Sequence, residues 1–169
     1  MRSIIRSILV GMALVAPAAA QTASPPLPKE GPVDNTAVCH GTNQLIVFDK
    51  DFAQITYDST CTVLAKMEGG FGDRTTGRCV GSLRIIKGKL ETEIGGCRWN
   101  DASGDTFYSA HTLQSVDASG HVLKNILIGG TGKYSGITGS LDVLRQGLPS
   151  PGDGRGASIN FTKGTYKLP

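Results

Sequence analysis

Short runs rich in β-branched and aromatic residues recur every 8–16 residues through most of this chain, with Gly, Asn, Asp or Ser between them. No sustained helical period competes with them, and that rhythm restricts the fold to an all-β barrel or sandwich. The candidate strands are Gln44–Phe48, Ala53–Tyr57, Thr62–Lys66, Arg78–Ile86, Leu90–Ile94, Thr106–Val116, His121–Gly129, Thr138–Arg145 and Ala157–Leu168, which makes eight or nine. Leu141 and Val143 alternate with Asp142, and Ile159 and Phe161 with Asn160, as half-buried strands require. Val122–Ile128 is apolar in both phases, so its outer face needs a cover, and it is the expected oligomer contact.

The N-terminus obeys other rules. Met1–Ala20 carries two arginines, an apolar stretch from Ile8 to Val15 and a small-residue end, Ala18-Ala19-Ala20, the signature of an export signal. The stretch is shorter than the roughly 20 residues a membrane span needs, and no later segment reaches that length. Residues 21–33 hold four prolines in thirteen positions and read as a flexible leader, leaving 34–169 as one domain. The expected address is the periplasm or the medium, with no integral membrane segment after cleavage. Of 17 basic residues the signal takes Arg2 and Arg6, leaving 15 against 14 acids, and no block of five like charges exists. A nucleic-acid partner is not expected.

Export permits disulfides, and four cysteines allow three complete pairings. Cys79 and Cys97 are equidistant from Gly88 in the turn Lys87-Gly88-Lys89, and Cys39 and Cys61 are equidistant from Lys50 in Asp49-Lys50-Asp51. Hairpins at those turns pair Cys39 with Cys61 and Cys79 with Cys97, each bond contributing about 3 kcal/mol by loop closure. The close cysteine pairs of a zinc site are absent, and no metal or cofactor is expected. Asp101-Ala102-Ser103-Gly104-Asp105 recurs at Asp117–His121 and reads as a turn on each side of one strand. Asp101, Ser103 and Asp105 also have calcium-loop spacing, but the bidentate Glu such a loop needs is missing.

Ile128–Ser140 has five glycines: Gly129, Gly130, Gly132, Gly136 and Gly139. A phosphate loop fails here, because Leu127 stands where the first Gly belongs and Tyr134 follows Lys133 in place of Ser or Thr. The dinucleotide pattern fails at Ser135. The segment reads instead as a strand corner pinned to the core by Tyr134 and Ile137. No Gly-x-Ser-x-Gly nucleophile motif exists, and the cysteines are accounted for. His111 falls within a strand and is the one histidine with a conceivable acid/base role in the interior. Asp101, Asp105 and Glu93 read as turn and surface residues, and Trp99 as a lid over a disulfide or barrel end. Phe107 and Tyr108 face opposite ways, so one lines the interior, where Tyr57, Tyr134 and Phe161 join it.

Gly129–Gly139, reading GGTGKYSGITG, resembles the glycine-rich signature of the allene oxide cyclase and dirigent-like β-barrel superfamily. Gly96–Asp105 resembles a Cys-aromatic-Asp-x-x-Gly-Asp stretch of small exported bacterial proteins of that barrel type, so the resemblance spans Arg78–Pro169. It implies a closed antiparallel barrel of about eight strands with an apolar cavity, assembled as dimers or trimers. Plant members cyclise a fatty-acid epoxide or steer phenoxy-radical coupling, by cavity shape and a few polar groups. For this chain the expectation is a non-catalytic exported barrel that binds a small apolar ligand, through Tyr57, Tyr108, His111, Tyr134 and Phe161, or acts as an envelope interaction module. The alternative is a cyclase or isomerase, which requires at least two buried polar groups in an open apolar cavity; a packed barrel argues against it.

Overall fold

The computed structural model describes residues 27–150 and 152–169. The export signal and residues 21–26 of the leader lie outside them. Eight antiparallel strands run consecutively around a closed barrel. They are β1 (Glu30–Val47), β2 (Phe52–Ala65), β3 (Thr76–Ile86), β4 (Lys89–Asn100), β5 (Thr106–Asp117), β6 (Gly120–Gly130), β7 (Thr138–Leu148) and β8 (Arg155–Lys167). Pairing of Glu30–Thr42 with Arg155–Lys167 closes the ring.

Two boundaries differ from the sequence reading. β1 starts at Glu30, so Glu30–Val33 belongs to the barrel and not to a leader, and Gln44–Phe48 is only the far end of that strand. The first half of β1 escapes notice because its buried residues are Val33, Asn35, Ala37 and Cys39, a face too small and mixed to alternate visibly. Ala53–Tyr57 and Thr62–Lys66 form one strand, β2. The polar Asp58–Thr60 between them continues the ladder, paired with His40–Thr42 on β1 and Arg78–Val80 on β3, and Asp58 accepts a hydrogen bond from Arg78 Nε at 2.9 Å.

Strand direction gives the barrel two unlike ends. One is plugged by Phe71, from the loop between β2 and β3, whose ring packs 4.9 Å from Phe107 and 4.7 Å from Tyr166. Tyr134 closes on Phe107 at 5.0 Å, and Trp99 stacks on Phe107 at 6.0 Å while donating from Nε1 to Ser109 Oγ. The glycine corner delivers Tyr134. Gly132 opens the 3-10 turn Gly132–Tyr134 at φ +52°, and a Cβ there would collide with the Asp105 carboxylate at 1.8 Å. Lys133 binds Asp101, tying the corner to the turn between β4 and β5. That turn is closed as its composition requires, Asp101 Oδ1 accepting from the Ser103 and Asp105 amides at 2.9 and 3.1 Å. The hairpins β1–β2, β3–β4, β5–β6 and β7–β8 surround the other end.

Both disulfides form as the hairpin geometry requires, Cys39–Cys61 across β1 and β2 and Cys79–Cys97 across β3 and β4, each between directly opposed residues. On β6, Leu123 and Leu127 are buried, while Ile126 and Ile128 stand 43% and 63% exposed on the outer wall. Among the described residues no helix is long and apolar enough to cross a membrane. Phe71→Ala, which empties the centre of the plug, is expected to cost about 3–5 kcal/mol of unfolding free energy, measured by denaturant titration of the oxidised protein.

Candidate functional site

Between the aromatic plug and the open end the lumen holds a cavity of about 230 Å³. Its apolar lining includes the four half-cystines, Leu83, Trp99, Leu123 and Val143. Its lining also includes small residues, Gly41 on β1, Ser59 on β2, Gly147 on β7 and Gly156 and Ser158 on β8, which leave it room. Polar side chains reach it as well, Tyr57 from β2, His111 from β5, His121 from β6 and Arg145 from β7, and Glu93 of β4 is buried against the last three.

Glu93 organises the cluster. Its side chain is fully buried and pairs with Arg145 Nη1; His121 Nδ1 lies 3.3 Å from Oε2 and His111 Nε2 3.8 Å from Oε1. Burial alone would push this carboxyl up, but the His121 hydrogen bond and the charge of Arg145 hold it below its ordinary value. Arg145 also donates from Nε to Asn160 Oδ1 at 3.3 Å and sits 5.8 Å over the Tyr57 ring.

Tyr57 crosses the wall to reach His111, its hydroxyl 2.6 Å from Nε2. Two opposed glycines make this possible. A Cβ on Gly81 would lie 2.3 Å from the Tyr57 hydroxyl, and one on Gly95 would lie 2.5 Å from it and 2.7 Å from the His111 ring. Burial, reinforced by the Arg145 charge, lowers His111 to about 4, so the imidazole is neutral near pH 7. Burial likewise raises Tyr57 to about 12, so the phenol keeps its proton. The site therefore holds a compensated ion pair beside a neutral hydrogen-bonded Tyr–His pair. Asn125 Oδ1, also in the lining, is buried without a partner.

Of the five residues expected to contact a ligand, the structure brings Tyr57 and His111 together at the cavity. Tyr134 belongs to the plug, where burial, and secondarily the Asp101 charge, raises its pKa. Tyr108 faces outward, and Phe107 is its buried neighbour. Phe161 is 40% exposed on the outer wall, because β8 turns Asn160 inward to donate to Cys39 Sγ at 3.2 Å. The phase expected for β8 is thus reversed. Glu93 corrects another expectation: it is 1% exposed and is no surface residue. His40 is exposed and borders the cavity. Among the described residues no group of three or more His, Cys, Asp or Glu is arranged to hold a metal ion.

Strand alternation carried a signal for the missed residues. Glu93 shares its phase with Cys97 and Trp99, Arg145 with Leu141 and Val143, and His121 with Leu123 and Leu127. No family model matches the chain, and a search of curated proteins finds no match.

The depressed His111 value makes stability pH-dependent. Because the unfolded imidazole titrates near 6.5 and the folded one near 4, the unfolded state binds more protons between those values. Stability is complete above about pH 6.5 and falls through that window by on the order of 3 kcal/mol, with Glu93 adding to the loss at lower pH. His111→Gln should flatten the slope between pH 6.5 and 4 in denaturant titrations; an unchanged slope would place the effect elsewhere. Gly95→Ala should separate Tyr57 from His111, read as a downfield-to-upfield change of the hydrogen-bonded proton resonance.

Proposed function

We propose that this chain is an exported binding protein that holds one small, largely apolar molecule inside its barrel, with the polar end of that molecule toward Tyr57, His111 and Asn125. The observation that carries this reading is the mixed lining of the lumen: sulfur, Trp99, Leu123 and Val143 offer apolar contact, and Tyr57, His111 and Asn125 offer polar groups to the same guest. The cavity volume of about 230 Å³ lies below the roughly 300–1,000 Å³ of pockets for drug-sized ligands, which favours a smaller guest. Glu93 and Arg145 neutralise one another, so a neutral guest enters without stranding a charge. The resemblance of Gly129–Gly139 to the allene oxide cyclase and dirigent-like superfamily supports the same use of the lumen. The two disulfides are consistent with a periplasmic or secreted address, and exposed Ile126 and Ile128 offer a surface for a homodimer or trimer.

A specific observation favours a second reading, an isomerase or cyclase. The Tyr57 hydroxyl and His111 Nε2, 2.6 Å apart, form a hydrogen-bonded pair at the cavity, placed to polarise a bound guest.

Native mass spectrometry of the mature protein purified from its own envelope tests the first reading. A mass excess is expected under gentle conditions and lost on denaturation. Gly147→Trp places an indole at the mouth, where an added Cβ meets nothing within 4 Å, and should abolish the excess without lowering the unfolding midpoint. A wild-type protein free of bound mass, with no stabilisation by its envelope extract, would sink the binding reading. If fresh protein chemically alters the released molecule and Tyr57→Phe binds it unchanged, the isomerase reading replaces the carrier.

A further inference from the structure

The two disulfides do not sit apart in the fold. Cys39, Cys61, Cys79 and Cys97 come from four consecutive strands, all face the lumen, and all line the cavity. Cys61 opposes Gly77, and Cys79 opposes Ser59, so these two half-cystines are diagonal neighbours on β2 and β3. Their sulfurs are 4.0 Å apart, in van der Waals contact between one disulfide and the next. Asn160 Nδ2 donates to Cys39 Sγ at 3.2 Å, a contact that stabilises a thiolate leaving from that position. No free cysteine is present among the described residues to intervene.

We propose that this sulfur ladder is a thiol–disulfide exchange site for a low-molecular-weight thiol, in which reduction of Cys39–Cys61 moves the remaining disulfide to Cys61–Cys79. A thiolate of the small reductant attacks Cys61 Sγ, and Cys39 leaves as the thiolate held by Asn160. A second reductant thiolate attacks the reductant's own sulfur in the mixed disulfide, forming the oxidised dimer of the reductant and releasing Cys61 as thiolate. Cys61 then attacks Cys79 Sγ, the Cys79–Cys97 bond breaks, and Cys97 takes up a proton as the new thiol. Each step makes one S–S bond and breaks one. The two electrons that reduce the protein come from the two small thiols.

Access determines the class of reductant. Each half-cystine is at most 9% exposed, so a protein oxidoreductase cannot seat its own cysteine on them, whereas the cavity admits a molecule the size of an amino acid. This site does not depend on the ligand proposed above, since it uses the sulfurs and Asn160 alone.

The folded, oxidised wild-type protein is exposed to limiting free cysteine, trapped with an alkylating reagent, and its disulfides are mapped by peptide mass spectrometry. The one-disulfide fraction is expected to contain Cys61–Cys79 with alkyl groups on Cys39 and Cys97. A fraction containing only Cys39–Cys61 or Cys79–Cys97 would overturn the proposal. So would equal appearance of the other non-native pairs, as in a sample reduced in concentrated guanidinium chloride, because that pattern reports unfolding. Cys39→Ser, which keeps three cysteines, should show both Cys61–Cys79 and Cys79–Cys97; exclusive Cys79–Cys97 counts against exchange. Reduction by a thioredoxin-class protein should be slower than by free cysteine at equal thiol concentration, and the reverse order would refute access through the cavity.

Discussion

Closure of the sheet between β1 and β8 makes the inward side chains of eight strands share one lumen, and every feature of this protein depends on that sharing. An eight-stranded barrel is just wide enough for its side chains to fill it. Whether it is solid or hollow is then a matter of the sizes placed at each level. Here large rings fill one end, and glycine, serine and cystine take the middle, so the unfilled volume lies above the plug.

The same closure makes a buried carboxylate tolerable. Glu93 alone in this interior would lose several kcal/mol of hydration. β6 and β7 bring His121 and Arg145 around the ring to meet it, although the cluster spans more than fifty residues of sequence. Arg145 is held in turn by Asn160 on β8, and Asn160 also touches Cys39 on β1. The Glu93 cluster and the sulfur layer are therefore connected through one amide. A change in the disulfides would be felt by the residue that orients Arg145.

Glycine does two different jobs in this barrel. At Gly132 the backbone itself is unusual, and the residue sets up the turn that brings Tyr134 into the plug. At Gly81 and Gly95 the backbone is ordinary strand, and the absent side chain is what matters, because the Tyr57 hydroxyl occupies that space. The first kind is recognisable from a cluster of glycines at a strand end. The second is visible only once the register of β2, β3 and β4 is known.

Much of the architecture was legible in the linear chain. Strand rhythm, turn residues and the symmetry of the cysteines about Lys50 and Gly88 are local properties, and they determined the all-β class, most strands and both disulfides. The start of β1 was hidden because its inward face is small and mixed, and the phase of β8 was misread because Phe161 is more apolar than Asn160. Only the register around the closed ring decides that Asn160 points inward. His111 and Tyr57 were recognisable as interior candidates from strand position. Their partners Glu93, His121 and Arg145 carry charges or titratable groups that a lone strand normally gives to water, and their inward phase becomes meaningful only when three strands supply mutual compensation. Local chemistry thus determined the strands and turns, while the tertiary structure alone decided which polar groups meet, because a buried ion pair exists only when both of its charges arrive together.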